Sequence, residues 1–231
     1  MSYLREYIDA VLYINLDRRP DRLENITKQI DMMGLSDISY RISAVDHQTL
    51  KVKTTEYAKR QTACSKSHFK AYDFARNNGI KQYLILEDDF EVLKTSDVNG
   101  LQIIEKSLKQ LNSFNWDIFY LSAKVVEQEK NNTLVAPNLI KNKRGLLTAH
   151  AYIMNENTYD KIKEKIPTNE DVEIVWDSAL GDDEKLNKFI AFPLTSYPMQ
   201  STSDLDISGN MTDGREYWQK YHALKYGRKA I

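Results

Sequence analysis

Glu87, Asp88 and Asp89 follow directly on the apolar run Tyr83 to Leu86 in the stretch QYLILEDDF, residues 82 to 90. Carboxylates gathered at the end of such a run can hold a hard cation. Mg²⁺ or Mn²⁺ takes one or two protein carboxylates and completes its shell with phosphate oxygens and water. Bound there, it would neutralise a departing diphosphate. Side chains alternate along a strand, so Glu87 and Asp89 are expected on one side and Asp88 on the other. Acids after a strand also cap helices or face water, and three of them alone do not decide between these roles. The continuous apolar run in front favours the sheet edge over a surface hairpin.

The elements around the acids are readable. Ala10 to Leu16 (AVLYINL), Tyr40 to Val45 (YRISAV), QYLILEDD and Trp116 to Ser122 (WDIFYLS) read as short buried strands. Between them lie helical patterns. Asp21 with Glu24 resembles a capping-box start, and Gly34 can end that helix. From Cys64 to Asn78, His68, Ala71, Tyr72 and Ala75 share one face. Leu101 to Asn112 is amphipathic. Strand alternating with helix predicts parallel βαβ units with helices covering the sheet, and ligands then bind beyond the carboxyl ends of the strands.

The second half is less regular. Residues 124 to 145 read as an exposed loop or hairpin, Leu146 to Met154 as a strand, Asn157 to Ile166 as a helix and Lys188 to Leu194 as a strand. A helix is expected near Glu216 to Leu224. No repeat, low-complexity segment or linker breaks the chain, so residues 1–231 are expected to form one domain. Its nucleotide-binding half would be 1–122, its acceptor-side half 123–207 and its tail 208–231.

With 42% hydrophobic and 28% charged residues over 231 positions, the chain can bury a large core without staples. A net charge of −1 gives no footprint for nucleic acid. The one cysteine, Cys64, excludes an internal disulfide and favours a reducing compartment. No signal-peptide core and no membrane-length apolar run stands out. A cytoplasmic setting, in a bacterial cell or a virus-infected host cell, is the expectation. The aromatic, basic stretch REYWQKYHALKYGRKA is expected to pack on the core. A second subunit, as in a homodimer, or peripheral contact with an anionic membrane are its other readings, the membrane one without further support.

Four blocks stand in order: YINLDRRPDR (Tyr13 to Arg22), RISAVDH (Arg41 to His47), ACSKSHFKAYDFA (Ala63 to Ala75) and YLILEDD (Tyr83 to Asp89). Together, and with LTAHAYIM and QSTSDLD (Gln200 to Asp206) further on, they resemble glycosyltransferase family 25. That family includes bacterial lipopolysaccharide galactosyltransferases and collagen hydroxylysine galactosyltransferases. The resemblance covers roughly residues 10 to 207. It implies an α/β GT-A (nucleotide-diphospho-sugar transferase) fold, with a mostly parallel central sheet flanked by helices. It also implies a UDP-sugar donor, a glycan or protein hydroxyl as acceptor, and Mn²⁺ or Mg²⁺ as cofactor.

Carried over residue by residue, the resemblance gives Asp89 to the metal, with Glu87 shared between metal and nucleotide and Asp88 beside the ribose. Asn15, Leu16 and Arg18 match the first-strand motif beside the nucleotide, while Arg22 stands between that motif and a helix-surface charge. Asp46 matches an Asp-Gly pair, but here His47 replaces the glycine, which puts the tightness of that turn in question. Ser67 and His68 match a Ser-His pair, with a core histidine as the competing reading. Cys64 reads as a small buried hydrophobe. Asp177, in a loosely matching block, is the candidate base for an inverting displacement. Trp176 beside it reads as a core residue or a sugar platform. His150, Gln200, Ser203 and Asp204 are candidate acceptor or diphosphate contacts, and so is His222 further on.

Two rival readings remain. A nucleotidyltransferase on a related fold would carry a glycine-rich phosphate loop after the first strand, and NLDRRPDR has no glycine. A non-catalytic nucleotide-sugar-binding module would have less need of the intact acidic triplet.

Overall fold

The computed structural model describes residues 3–51, 54–96, 98–125, 131–165, 175–193 and 195–199. Gln200, Ser203, Asp204, His222 and the expected C-terminal helix lie outside the described residues.

The first half alternates as its sequence predicts. Strand β1 (Ala10–Asn15) leads through helix α1 (Pro20–Met32) to β2 (Ser39–Ser43), and α2 (Glu56–Asn77) leads to β3 (Gln82–Glu87). Both β2 and β3 pair with β1 in parallel. Alternate residues of these strands feed two separate cores. Leu12, Ile14, Tyr83 and Ile85 pack with Ala71, Tyr72 and Ala75 of α2. Val11, Leu84 and Leu86 pack with Ile26 and Ile30 of α1. A sheet covered on both faces needs apolar residues at every position, which is why these strands read as continuous runs.

Two helix starts differ from expectation. Asp21 does not cap α1. Pro20 holds its first position, where a missing N–H costs nothing, and Arg19 precedes it without a side-chain cap. Asp21 instead pairs with Arg19 at 2.8 Å. Helix α2 begins at Glu56 rather than near Cys64, because Thr55 caps it by accepting from the Ala58 amide. Gly34 ends α1 as expected, with a φ of 68°.

The remaining elements are β4 (Phe90–Val92), α3 (Gly100–Leu111), β5 (Ile118–Tyr120), β6 (Lys124–Val125), β7 (Asn132–Ala136), β8 (Leu139–Asn142), β9 (Leu146–Leu147), β10 (Ala151–Asn155), α4 (Thr158–Lys163), α5 (Trp176–Gly181), β11 (Lys188–Ala191) and β12 (Ser196–Pro198). The main sheet runs β2-β1-β3-β10-β5-β11-β8-β7. Strands β10 and β8 run against the other six, so the sheet is mixed but mostly of one direction. Strand β10 lies between β3 and β5, antiparallel to both. The hairpin β7–β8 forms its far edge.

The single strand expected over Leu146 to Met154 is in fact broken. Its first residues pair with β6 and its last with β3 and β5. Thr148, in the break, has a φ of 70°, an uncommon conformation for a β-branched residue. It is held from two sides: its amide donates to Asp177, and its hydroxyl accepts from the Lys124 amide. Among the described residues, no helix is long and apolar enough to cross a membrane.

Candidate active site

Strands β1 and β3 end side by side, with Ile14 opposite Glu87. Beyond that edge two adjoining clefts open, with volumes of about 100 and 300 Å³. Arg22, Cys64, His68, Glu87 and Asp89 line both. The first cleft is otherwise walled by the residues after β1 and β2, among them Leu16, Val45 and His47. The second is walled by Tyr57, Thr148, His150, Trp176 and Asp177.

The acidic triplet divides, with Glu87 ending β3 and Asp88 and Asp89 in the turn beyond it. Asp88 turns to α1, where Arg22 donates to Oδ1 at 2.9 Å and Asn15 donates to Oδ2 at 2.8 Å. Burial raises the Asp88 carboxyl, and Arg22 and Asn15 offset part of that. Glu87 and Asp89 meet in the second cleft. Burial works hardest on Glu87 and would raise it, but the His68 hydrogen bond together with the charges of His68, His150 and Arg22 holds the carboxyl below its usual range.

Asp89 is the unsatisfied member. Its Oδ1 is buried with no hydrogen-bond partner, and its Oδ2 lies 3.7 Å from Arg22. Burial, then the charge of Glu87, pushes its carboxyl up to about 7. A buried carboxylate oxygen without a donor, beside a second carboxylate, fits a cation. The turn that carries it is pinned by Asn25, which donates to the carbonyls of Asp88 and Phe90, and by Met199, whose amide donates to the Asp89 carbonyl.

His68 belongs to a directional chain of hydrogen bonds. Indole Nε1–H of Trp176 donates to the Tyr152 hydroxyl at 2.7 Å, and that hydroxyl lies 2.9 Å from His68 Nδ1. An indole can only donate, so the tyrosine oxygen accepts from it and keeps its own proton to give to Nδ1. In that arrangement Nε2–H donates to Glu87 Oε1 at 3.1 Å. His68 lies on the apolar helix face with its ring 1% exposed, and its edge reaches the cleft through Glu87.

Several matched residues act on their neighbours. Asn15 is buried, and its Oδ1 accepts from Arg41 while its amide donates to Asp88 and to the Arg19 carbonyl. Ser67 Oγ accepts from the Val45 amide and donates to the Ala63 carbonyl, tying the loop after β2 to α2. Asp46 pairs with Arg18 at 2.8 Å and caps the short 3₁₀ turn His47–Thr49. That turn needs no positive φ, so His47 meets no penalty where a glycine was the alternative; its imidazole pairs with Glu56 instead. Leu16 alone of the first-strand group lines the first cleft with an apolar face.

Around the second cleft, Asp177 sits at the start of α5. Its Oδ2 accepts from the Thr148 amide at 3.0 Å and its Oδ1 from the Ser178 amide at 2.8 Å. Two backbone donors fix the carboxylate and leave further lone pairs for a ligand. Helix α5 was not evident in the sequence; Gly181 allows it, since a Cβ there would stand 1.9 Å from the Leu146 carbonyl oxygen. Trp176 is 2% exposed and packs its ring on His68 and Phe69, so it is a core residue rather than a sugar platform. His150 is buried beside Ser196, and burial lowers its imidazole to about 4.

Arg22 and Tyr152 are the site residues that sequence reasoning left unassigned. Arg22 is 6% exposed and lies between Asp88 and Asp89, not on a helix surface. Its signal was its place on α1 directly after the first-strand loop. Tyr152 carried no signal beyond its strand.

The sequence model of glycosyltransferase family 25, described as an LPS biosynthesis protein, matches residues 8–172. A "Glycosyltransferase 25 family member" of Drosophila melanogaster is 23% identical over 243 residues, covering 92% of this chain and 38% of that protein. The chain thus spans well under half the length of that relative. Among solved structures, UDP-glucose pyrophosphorylase complexed with UDP-glucose is similar at a TM-score of 0.46 and 9% identity, over 94% of this chain and 81% of that one. A197 from STIV is similar at a TM-score of 0.43 and 12% identity, over 82% and 85%. At these scores neither likeness bears on activity.

Proposed function

The chain belongs to glycosyltransferase family 25, and on that premise we propose that its cleft moves a hexose, galactose or glucose, from a UDP-sugar to a hydroxyl of a glycan or protein. The observation that carries this reading is the buried, unpartnered Asp89 Oδ1 beside Glu87, where the two clefts meet. Oxygen donors at that point suit Mn²⁺ or Mg²⁺. Asp89 and Glu87 would hold the cation, which when bound supplies positive charge to the donor diphosphate.

The chain's own groups do the rest. The nucleotide would lie in the first cleft, on Leu16 and Val45, with Arg18 and Asp46 at its rim. Arg22 pairs with Asp88 and adds positive charge behind the acids. Tyr152 and His68 fix Glu87 in one orientation, so no reorganisation is needed as charge shifts. Asp177, held by two amides, would take the proton from the acceptor hydroxyl in the second cleft, with direct displacement and inversion at the sugar. His150 lies in the wall where the acceptor would rest. A chain with a single cysteine agrees with a reducing, cytosolic setting.

The test is a donor panel read by saturation-transfer NMR, with UDP-galactose, UDP-glucose and Mn²⁺, followed by donor hydrolysis. Metal-dependent binding of one UDP-sugar that Asp89→Asn weakens at least about tenfold is the expected result. Absence of binding, hydrolysis and transfer with every donor would overturn the reading. Binding without turnover on any acceptor would favour a binding module.

A further inference from the structure

We propose that Cys64, His68 and Glu87 form a binding site for a thiophilic divalent cation such as Zn²⁺, separate from the position at Asp89 and overlapping it only through Glu87. Cys64 and His68 are four residues apart on α2 and so share a face, and that face meets the end of β3. Cys64 Sγ lies 3.9 Å from Glu87 Oε1, and His68 Nε2 lies 3.1 Å from the same oxygen. All three ligand atoms fall within 4.8 Å of one another. Tetrahedral zinc, with bonds of about 2.0–2.3 Å, holds its ligand atoms roughly 3.3–3.7 Å apart. The three groups therefore need shifts of about an ångström or less to close on an ion.

The surroundings match such a site. Three protein ligands leave a fourth position open to water or an exogenous group, and both clefts reach all three residues. Tyr152 stands behind the imidazole at Nδ1 and is itself anchored by Trp176. When a cation takes Nε2, the ring proton moves to Nδ1 and donates to that tyrosine oxygen, the outer-sphere contact that metal-bound histidines use. The cation also displaces the thiol proton to solvent. A sulfur, a nitrogen and one carboxylate select a borderline or soft ion, whereas Mg²⁺ and Mn²⁺ prefer oxygen. Where the donor reading above holds, Zn²⁺ at this site draws Glu87 away and opposes Mn²⁺-dependent donor binding; that clause rests on that reading, and the binding site itself does not.

The 231-residue chain, metal-free, without an affinity tag and with its thiol reduced, is titrated with Cd²⁺ while the ultraviolet thiolate-to-cadmium band is followed. Cys64 is the sole cysteine, so the band reports this site alone. One equivalent should develop it, Zn²⁺ should reverse it, and Mn²⁺ should not at matched concentration. Cys64→Ser should abolish the band and weaken Zn²⁺ binding, read by chelator competition, at least about tenfold. Cys64→Ala serves as the second variant, with circular dichroism confirming the fold of each. Asp89→Asn should keep the band.

A wild-type chain without the band, or unchanged Zn²⁺ affinity in both cysteine variants, overturns the proposal. Loss of the band in Asp89→Asn overturns the separation of the two positions. A chain that gives the band but binds no UDP-sugar keeps this site and loses the donor reading; the converse result does the reverse.

Discussion

Arg22 and Asp88 form an ion pair at 2.9 Å in which both side chains are more than nine-tenths buried. Neither charge has solvent to fall back on. Arg22→Met would leave Asp88 without its cation, and breaking a buried pair from one side costs about 3–5 kcal/mol. Urea unfolding should show that loss. Arg22→Met combined with Asp88→Leu should recover much of it, because the stranded charge is then gone. A single variant as stable as wild type would mean that the pair does not organise the turn.

Tyr152→Phe removes one oxygen and strands two partners, the Trp176 indole and His68 Nδ1. The expected cost is about 1–3 kcal/mol. The more specific readout is the tautomer: ¹⁵N spectra of the His68 ring should show Nε2–H alone in wild type and a mixture in the variant. An unchanged ring spectrum would mean that Glu87 sets the tautomer without help from the tyrosine.

Asp177→Asn keeps the shape of the residue at the head of α5 and removes its basicity. On the proposed reaction, kcat should fall by about 10²–10⁴ while UDP-sugar binding, measured without acceptor, stays near wild type. Loss of donor binding together with kcat would place Asp177 on the donor side instead.

Lys188 provides a pH signature. It is fully buried and donates to the carbonyls of Leu180, Gly181 and Asp183 at the end of α5. Burial lowers its ammonium from 10.5 to about 8, against the pull of nearby carboxylates. The folded value lies below the unfolded one, so folding carries the full penalty of the charged form below about pH 8. The penalty fades as pH rises toward 10.5, and stability gains up to about 3 kcal/mol from this group. Lys188→Met should remove that gain from a series of urea unfolding curves taken across the window. Parallel pH profiles for the two proteins would refute the assignment.

How far the sequence could be read depended on whether a property was local. The runs that became β1 and β3 are apolar at every position because both faces of the sheet are covered, and the acids at their ends lie at its carboxyl edge. The direction of β10 left no such mark, since an antiparallel strand in the middle of a sheet is as apolar as a parallel one. Helix α5 is six residues long, too short for a periodic signal. Asp88 lies in the turn after β3, where strand alternation no longer applies, and its partner Arg22 was not legible either, because the pairing spans 66 positions. Thr148 at positive φ breaks a strand that its own residues favour, a case of tertiary contacts overriding local preference. Gln200, Ser203 and Asp204 lie outside the described residues.

The place of β10 governs how the protein can be made. Within the sheet, β3 and β5 touch only through it. A nascent chain that has emerged as far as residue 122 holds β2, β1 and β3 as one set and β5 by itself, with no hydrogen-bonded seam between them and with open edges of the kind that invite misassembly. The seam arrives some thirty residues later, from a segment distant in sequence, and pairings of that range are slow to form. Strand β3, which leads into the acids, gains its second neighbour only then. A fragment ending after β5 would be an unfinished sheet.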